Sequence, residues 1–255
     1  MKENSKNEIE EKAETVIQAE MEIYWLRHGK TKSNEEHRYL GKTDEGLTEA
    51  ETERLQAKKV PEAWQTFPLF SSPMKRCRQT AELLFRKEPL LIPEWVEMDF
   101  GLFEGKNYQD LKGDAYYQRW IDSDGTLPFP QGESREAFLQ RSRKGLERML
   151  FLLDKGSEID GMPDKGKVSN RNKMPDKGRV SDRNKMPDKE KIPDRNKMPD
   201  KVVAVVHGGT IMAVLSELTG REYFSFRVPN GGGYRTRIRR KQNTIEVLEI
   251  EQITD

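Results

Sequence analysis

Two apolar runs in this chain end in the same way. Residues 22–26 include Ile23, Tyr24, Trp25 and Leu26 and lead into Arg27, His28 and Gly29; residues 202–206 are four valines and an alanine and lead into His207, Gly208 and Gly209. A short run rich in β-branched and aromatic residues, closed by glycine, reads as a buried strand. Residues 67–71 read as a third strand, followed by Ser72 as helix cap and Pro73 as first helical residue. Helical spacing of Met74, Cys77, Ala81 and Leu84 predicts a helix over 74–85. A second is predicted over 134–153 with Leu146, Met149, Leu150 and Leu153 as its buried stripe, and a third over 211–218, closed by Gly220. Strands alternating with helices predict an α/β fold: three layers, a doubly wound, mostly parallel sheet with helices on both faces. Ligands of such folds gather beyond the carboxyl ends of the strands. Thr31 and Asn34, in the loop after the first strand, fall in that region.

Not all of the chain belongs to that fold. Hydrophobic residues make up 34% and charged residues 35% of the 255, a balance that leaves part of the chain outside any core. From Met162 a twelve-residue unit recurs, MPDKGKVSNRNK, MPDKGRVSDRNK and MPDKEKIPDRNK, followed by MPDK. Each copy offers one Met and one Val or Ile, too little to stack into a solenoid. Residues 155–201 are therefore expected to be a disordered insertion, tolerated because long loops cost little closure entropy. Residues 162–201 hold 13 basic and 7 acidic side chains, a net +6, so the total of +1 leaves −5 elsewhere. The charged residues 1–20 are expected to form a tail, leaving 21–154 and 202–255 as one domain.

Net charge near neutrality gives no reason to expect nucleic acid or an anionic membrane as partner. No apolar stretch follows the basic start as a secretory signal requires, and no run reaches a membrane span. One cysteine, Cys77, cannot form an internal disulfide, so a cytoplasmic location is expected. No feature specifies an oligomer.

One histidine at a strand end is usually a packed or solvated residue. Two in the same setting, with Arg27 beside the first and Arg76 in the first turn of the helix after another strand, make one sheet edge cationic. Guanidinium forks and helix N-terminal amides both match phosphate oxygens.

At these residues the chain resembles the histidine phosphatase superfamily, which includes phosphoglycerate mutases and α-ribazole phosphatases. Leu26-Arg27-His28-Gly29-Lys30-Thr31 with Asn34 resembles its first histidine motif. Tyr39-Leu40-Gly41-Lys42-Thr43-Asp44 is similar to its substrate loop, and Ser71-Ser72-Pro73-Met74-Lys75-Arg76 with Gln79-Thr80-Ala81 to its second arginine motif. Glu97-Met98-Asp99-Phe100-Gly101 with Phe103-Glu104-Gly105, then Pro130-Gln131-Gly132-Glu133-Ser134, then Val206-His207-Gly208-Gly209 complete the order.

The resemblance implies a phosphomonoesterase acting through a phosphohistidine on a small phosphorylated metabolite. His28 is the implied nucleophile; Arg27, Arg76 and His207 the clamp on the phosphoryl oxygens; Thr31, Asn34, Gly41 and Gly208 the lesser substrate contacts. Glu97 is the implied acid and later base, a role that needs a raised pKa. Asp99 and Glu104 compete for it and are expected to anchor loops instead. Cys77 is expected in the core, His37 in solvent, Asn230 to Gly233 in a turn between strands, and Ser134 at a helix cap or the substrate. Lys30 stands where the family usually has Glu or Gln and adds positive charge. No metal or other cofactor is expected. The YLGKTD, FEG, PQGES and HGGTIM segments resemble α-ribazole phosphatases of cobalamin assembly. The alternatives are a broad-specificity sugar phosphatase, a phosphoglycerate mutase, or a scaffold holding an acidic partner through the basic repeats.

Overall fold

In a computed structural model, residues 19–155, 199–241 and 244–253 are described. The two apolar runs are neighbouring parallel strands. Strands β1 (Ala19–Arg27), β2 (Leu69–Ser71), β3 (Leu90–Leu91), β4 (Lys201–Val206), β5 (Gly233–Lys241) and β6 (Thr244–Ile253) form one sheet in the order β3-β2-β4-β1-β5-β6. The first four strands are parallel, and β5 and β6 continue the sheet antiparallel.

Helices cover the sheet on both sides because its central strands are apolar on both. The helices are α1 (Lys32–Glu35), α2 (Glu49–Ala57), α3 (Lys75–Phe85), α4 (Tyr108–Leu111), α5 (Ala115–Asp122), α6 (Arg135–Lys155) and α7 (Gly208–Thr219). Val202, Ala204 and Val206 pack with Ile23 and Trp25 under Leu146, Met149 and Leu150 of α6 and Ile211, Val214 and Leu215 of α7. The alternate residues Val203 and Val205 pack with Tyr24 and Leu26 under Leu55 of α2 and Cys77, Ala81 and Leu84 of α3. This period-two division of one strand between two cores is what a buried parallel strand requires. No helix among the described residues is long and apolar enough to cross a membrane.

Three boundaries differ from the sequence reading. The tail expected over 1–20 ends earlier, because Ala19 and Glu20 are in β1 and Glu20 pairs with Arg239 at 2.7 Å. Lys155 closes α6 and Lys201 opens β4, so both belong to the domain; residues 1–18 and 156–198, with nearly all of the expected tail and insertion, lie outside the described residues. Ser72 does not cap α3. Met74 holds the cap position, without a side-chain bond, and Ser72 faces a histidine instead.

Candidate active site

The register of β1 and β4 brings the two histidines together. Arg27 pairs with Val206, and the His28 N–H donates to the Val206 carbonyl at 2.9 Å, so His28 and His207 leave adjacent strands side by side. Their ring centroids are 5.2 Å apart, edge to face, and both residues are buried.

Each ring is held differently. His28 Nδ1 lies 2.7 Å from the Gly29 carbonyl oxygen. A carbonyl can only accept, so Nδ1 carries the proton and, in the neutral ring, Nε2 keeps its lone pair. The Gly29 N–H is itself fixed by Thr80 Oγ at 3.0 Å. His207 caps α7 and its Nε2 lies 2.8 Å from Ser72 Oγ, with the Cys77 thiol beside the ring. Burial, then the positive charge of Arg76, holds both imidazoles well below the usual 6.5, so both are neutral at neutral pH. Burial also pushes the Cys77 thiol up to about 12, which keeps it protonated, a core residue as expected.

Arg76 is wholly buried in the first turn of α3. It donates to the carbonyls of Thr43 at 3.0 Å and Gly41 at 2.9 Å, while its Nε has no partner. Arg27 donates through Nη1 to Val228 O at 2.7 Å, and its Nε is likewise unpartnered. Two buried guanidinium N–H groups beside two neutral imidazoles make a site for an oxyanion.

Glu97 closes the same site. It is 8% exposed, and its carboxylate accepts from the N–H of Met98 at 2.9 Å and of Gly209 at 3.4 Å. Burial raises its pKa; these N–H groups and the two arginines oppose the rise without cancelling it. A Cβ on Gly209 would crowd the Glu97 carboxyl, so any side chain there would displace Glu97 from its present position.

The lesser residues are present in altered capacities. Thr31 and Asn34 form a reciprocal cap on α1, at 3.2 and 3.3 Å, and spend polar atoms on each other. The Gly41 N–H is taken by Glu104, which also accepts from Thr43 N–H at 3.0 Å. Gly41 therefore serves Arg76 through its carbonyl, and Glu104 is a loop anchor. Asp99 pairs with Lys42 and is an anchor too. Gly208, in the first turn of α7, lines the cavity beside Arg27. Ser134 accepts from the Ala137 N–H at 3.1 Å, as a helix cap does.

Sequence reasoning missed three supports. Asn230, expected in a turn between strands, lies between a short 3-10 helix, Tyr223–Phe226, and β5; its amide donates to His28 O at 3.0 Å and Asn34 Oδ1 at 3.1 Å. Ser72 and Thr80 belong to the quoted motif around Arg76, but their partners are the cap of α7 and the loop after β1.

A cavity of about 590 Å³ opens beside Arg27, Glu97, Gly208 and Gly209. Its wall is largely aromatic: Tyr39, Phe100, Trp120, Phe129, Tyr223 and Phe224.

Comparison with known proteins bears on the family and the fold. A bifunctional protein of Mycobacterium tuberculosis is 30% identical over 132 residues, 49% of this chain and 36% of that protein, so the chain spans about a third of that relative's length. A crystal structure of phosphoglycerate mutase from Thermus thermophilus superposes with a TM-score of 0.54 at 26% identity, covering 92% of this chain and 99% of the other. The structure of a putative α-ribazole-5′-P phosphatase of Escherichia coli K-12 shares the fold, with a TM-score of 0.59 at 21% identity over 92% of this chain and 96% of the other. Residues 23–155, more than half of the chain, match the histidine phosphatase superfamily, branch 1. With both histidines and both arginines at one sheet edge, and that match spanning the first histidine, both arginines and Glu97, the chain belongs to the histidine phosphatase superfamily.

Proposed function

We propose that the chain is a phosphomonoesterase that passes a phosphoryl group from a small metabolite through His28 to water. The observation that carries this reading is the bond from His28 Nδ1 to Gly29 O, which leaves Nε2 unprotonated beside the charges of Arg76 and Arg27. In the first step the Nε2 lone pair forms a bond to phosphorus as the P–O ester bond breaks, and Glu97 gives its proton to the leaving oxygen. In the second step Glu97 takes a proton from water, whose oxygen displaces His28 and releases phosphate. Arg27, Arg76 and His207 carry the charge spread over the three phosphoryl oxygens.

Hydrolysis is preferred to mutase action on a sequence argument. Apart from the repeats, the interval from Glu97 to His207 has no added length to form the lid that a mutase needs to exclude water. The finer reading is an α-ribazole 5′-phosphate phosphatase in cobalamin assembly, supported by the motif segments quoted above and by the name of one structural neighbour. The test is hydrolysis of a generic aryl phosphate, with chelator present, by the full chain and by His28→Ala. The expected outcome is turnover by the full chain and its loss, to below about 10⁻³ of wild type, in the variant. Undiminished turnover in His28→Ala would overturn the reading. Comparing kcat/KM for α-ribazole phosphate, 3-phosphoglycerate and sugar phosphates tests the finer one.

A further inference from the structure

The cavity beside Glu97 is far larger than a phosphoryl group, and two arginines in its wall form no ion pair among the described residues. Arg135, the first residue of α6, has its guanidinium 5.1 Å from the ring centres of both Tyr223 and Phe224. Arg227 lies 4.5 Å over Phe224. Neither forms an ion pair among the described residues, whereas Arg141, Arg148 and Arg240, on or against the same helix α6, each do. Arg135 donates one N–H to the Asp124 carbonyl. The one carboxyl in the wall is Glu97, which lies at the reacting end. Away from that end the wall is rings and surplus positive charge.

Each feature selects a different part of a substrate. Rings 4.9 to 6.1 Å apart in tilted and edge-on pairs make a flat-sided apolar wall suited to a planar group; Tyr39, Phe100, Trp120 and Phe129 are such a set. Guanidiniums stacked on rings keep their forks free in the plane, matched to a carboxylate or phosphate. A sugar acid brings an anion without a ring, and a neutral aromatic alcohol a ring without an anion. This wall has a partner for both.

We infer that the cavity selects phosphate esters whose alcohol carries a planar aromatic ring bearing a second, anionic group, with the ring against the aromatic wall and the anion at Arg135 and Arg227. The inference rests on the phosphatase reading for the position of the phosphoryl group, and it departs from the α-ribazole reading, whose alcohol carries a planar base without a second anion.

Benzyl phosphate and 4-carboxybenzyl phosphate test it, because the methylene insulates the leaving oxygen from the substituent. The carboxylated ester should have the higher kcat/KM by about tenfold at low salt, the size of one charge-assisted hydrogen bond at a partly wet site. The ratio should fall near one when Arg135→Met and Arg227→Met are combined; a general loss of activity would not move it. It should also shrink as salt is added. 3-Phosphoglycerate, an anion without a ring, should be a poorer substrate than 4-carboxybenzyl phosphate by about tenfold or more. A wild-type ratio near one with both benzyl esters hydrolysed, a ratio unmoved by the double variant, or 3-phosphoglycerate as the better substrate would each overturn the inference while leaving the phosphatase reading intact. Calorimetry of the product alcohols needs no turnover. If no ester is hydrolysed, tighter binding of 4-(hydroxymethyl)benzoate than of benzyl alcohol, lost in the double variant, upholds the cavity assignment while the phosphatase reading fails; equal binding overturns the assignment.

Discussion

The carbonyl of Gly29 decides which nitrogen of His28 is free, and burial raises the pKa of Glu97. Both are residue-scale effects that a motif contains only as letters. His28 is held well below 6.5, mainly by burial and then by Arg76 and Arg27, so the limb of kcat/KM that requires neutral imidazole lies below 6.5. Glu97 is raised above 4.5 by burial, so the limb that requires its proton lies above that value, with activity falling as pH rises through it. Glu97→Gln should abolish the second limb. It should slow esters of poorly leaving alkoxides by on the order of 10²- to 10⁴-fold and activated aryl esters far less. The same shift bears on stability. A carboxyl whose folded pKa is raised favours the native state below its unfolded pKa, and that contribution is lost as pH rises through the folded one. Melting temperatures measured from pH 4.5 upward should therefore turn in favour of Glu97→Gln relative to wild type as pH rises. A leaving-group dependence in Glu104→Gln and none in Glu97→Gln would move the acid to Glu104, against its bonds to the Gly41 and Thr43 amides.

Elements place these residues, and at this scale the sequence was most legible. Continuous apolar runs located β1 and β4, and helical spacing located α3, α6 and α7, to within a few residues, because each buries a run or stripe long enough to show. Strand β3, two residues long and exposed, and the short helices α1 and α4 have no such stripe. Ser72 misled for another reason. Ser-Pro before a helical pattern reads as a cap, and only the pairing of β2 with β4 shows that its hydroxyl faces His207. Asn230 was hidden in the same way, since Asn-Gly signals a turn and its partners lie about 200 residues away in the loop after β1 and in α1. Packing between elements offers its own test at α6, where a Cβ on Gly145 would lie 2.3 Å from Trp95 Nε1. Gly145→Ala should force α6 away from the buried Trp95 and cost about 1–3 kcal/mol, as overpacking does. A lowered melting temperature with an unchanged pH profile is the expected result, and an unchanged melting temperature would contradict this view of the α6 seam.

At the scale of the whole molecule, the site and the repeats attach to opposite ends of the sheet. His28, Ser72 and His207 stand at the carboxyl ends of β1, β2 and β4, and Arg135 opens α6 beside the cavity. At the other end of its 21 residues α6 stops near Arg240, which pairs with Asp154 and lies opposite Ala19 at the start of β1; Lys201 opens β4 at that same edge. The segment between Lys155 and Lys201 thus leaves and re-enters at the edge remote from the chemistry. Removing residues 162–197, the three full repeats, is expected to leave turnover and melting temperature nearly unchanged; a large loss of either would show that the repeats serve the domain. The central claim is that phosphate passes through one nitrogen of one histidine. Full chain quenched with alkali during turnover of an aryl phosphate, digested and sequenced by mass spectrometry, with the ring isomer assigned by phosphorus NMR, reads that atom directly. Phosphate is expected on Nε2 of His28; phosphate on Nδ1, on His207, or on no histidine during active turnover would overturn this assignment.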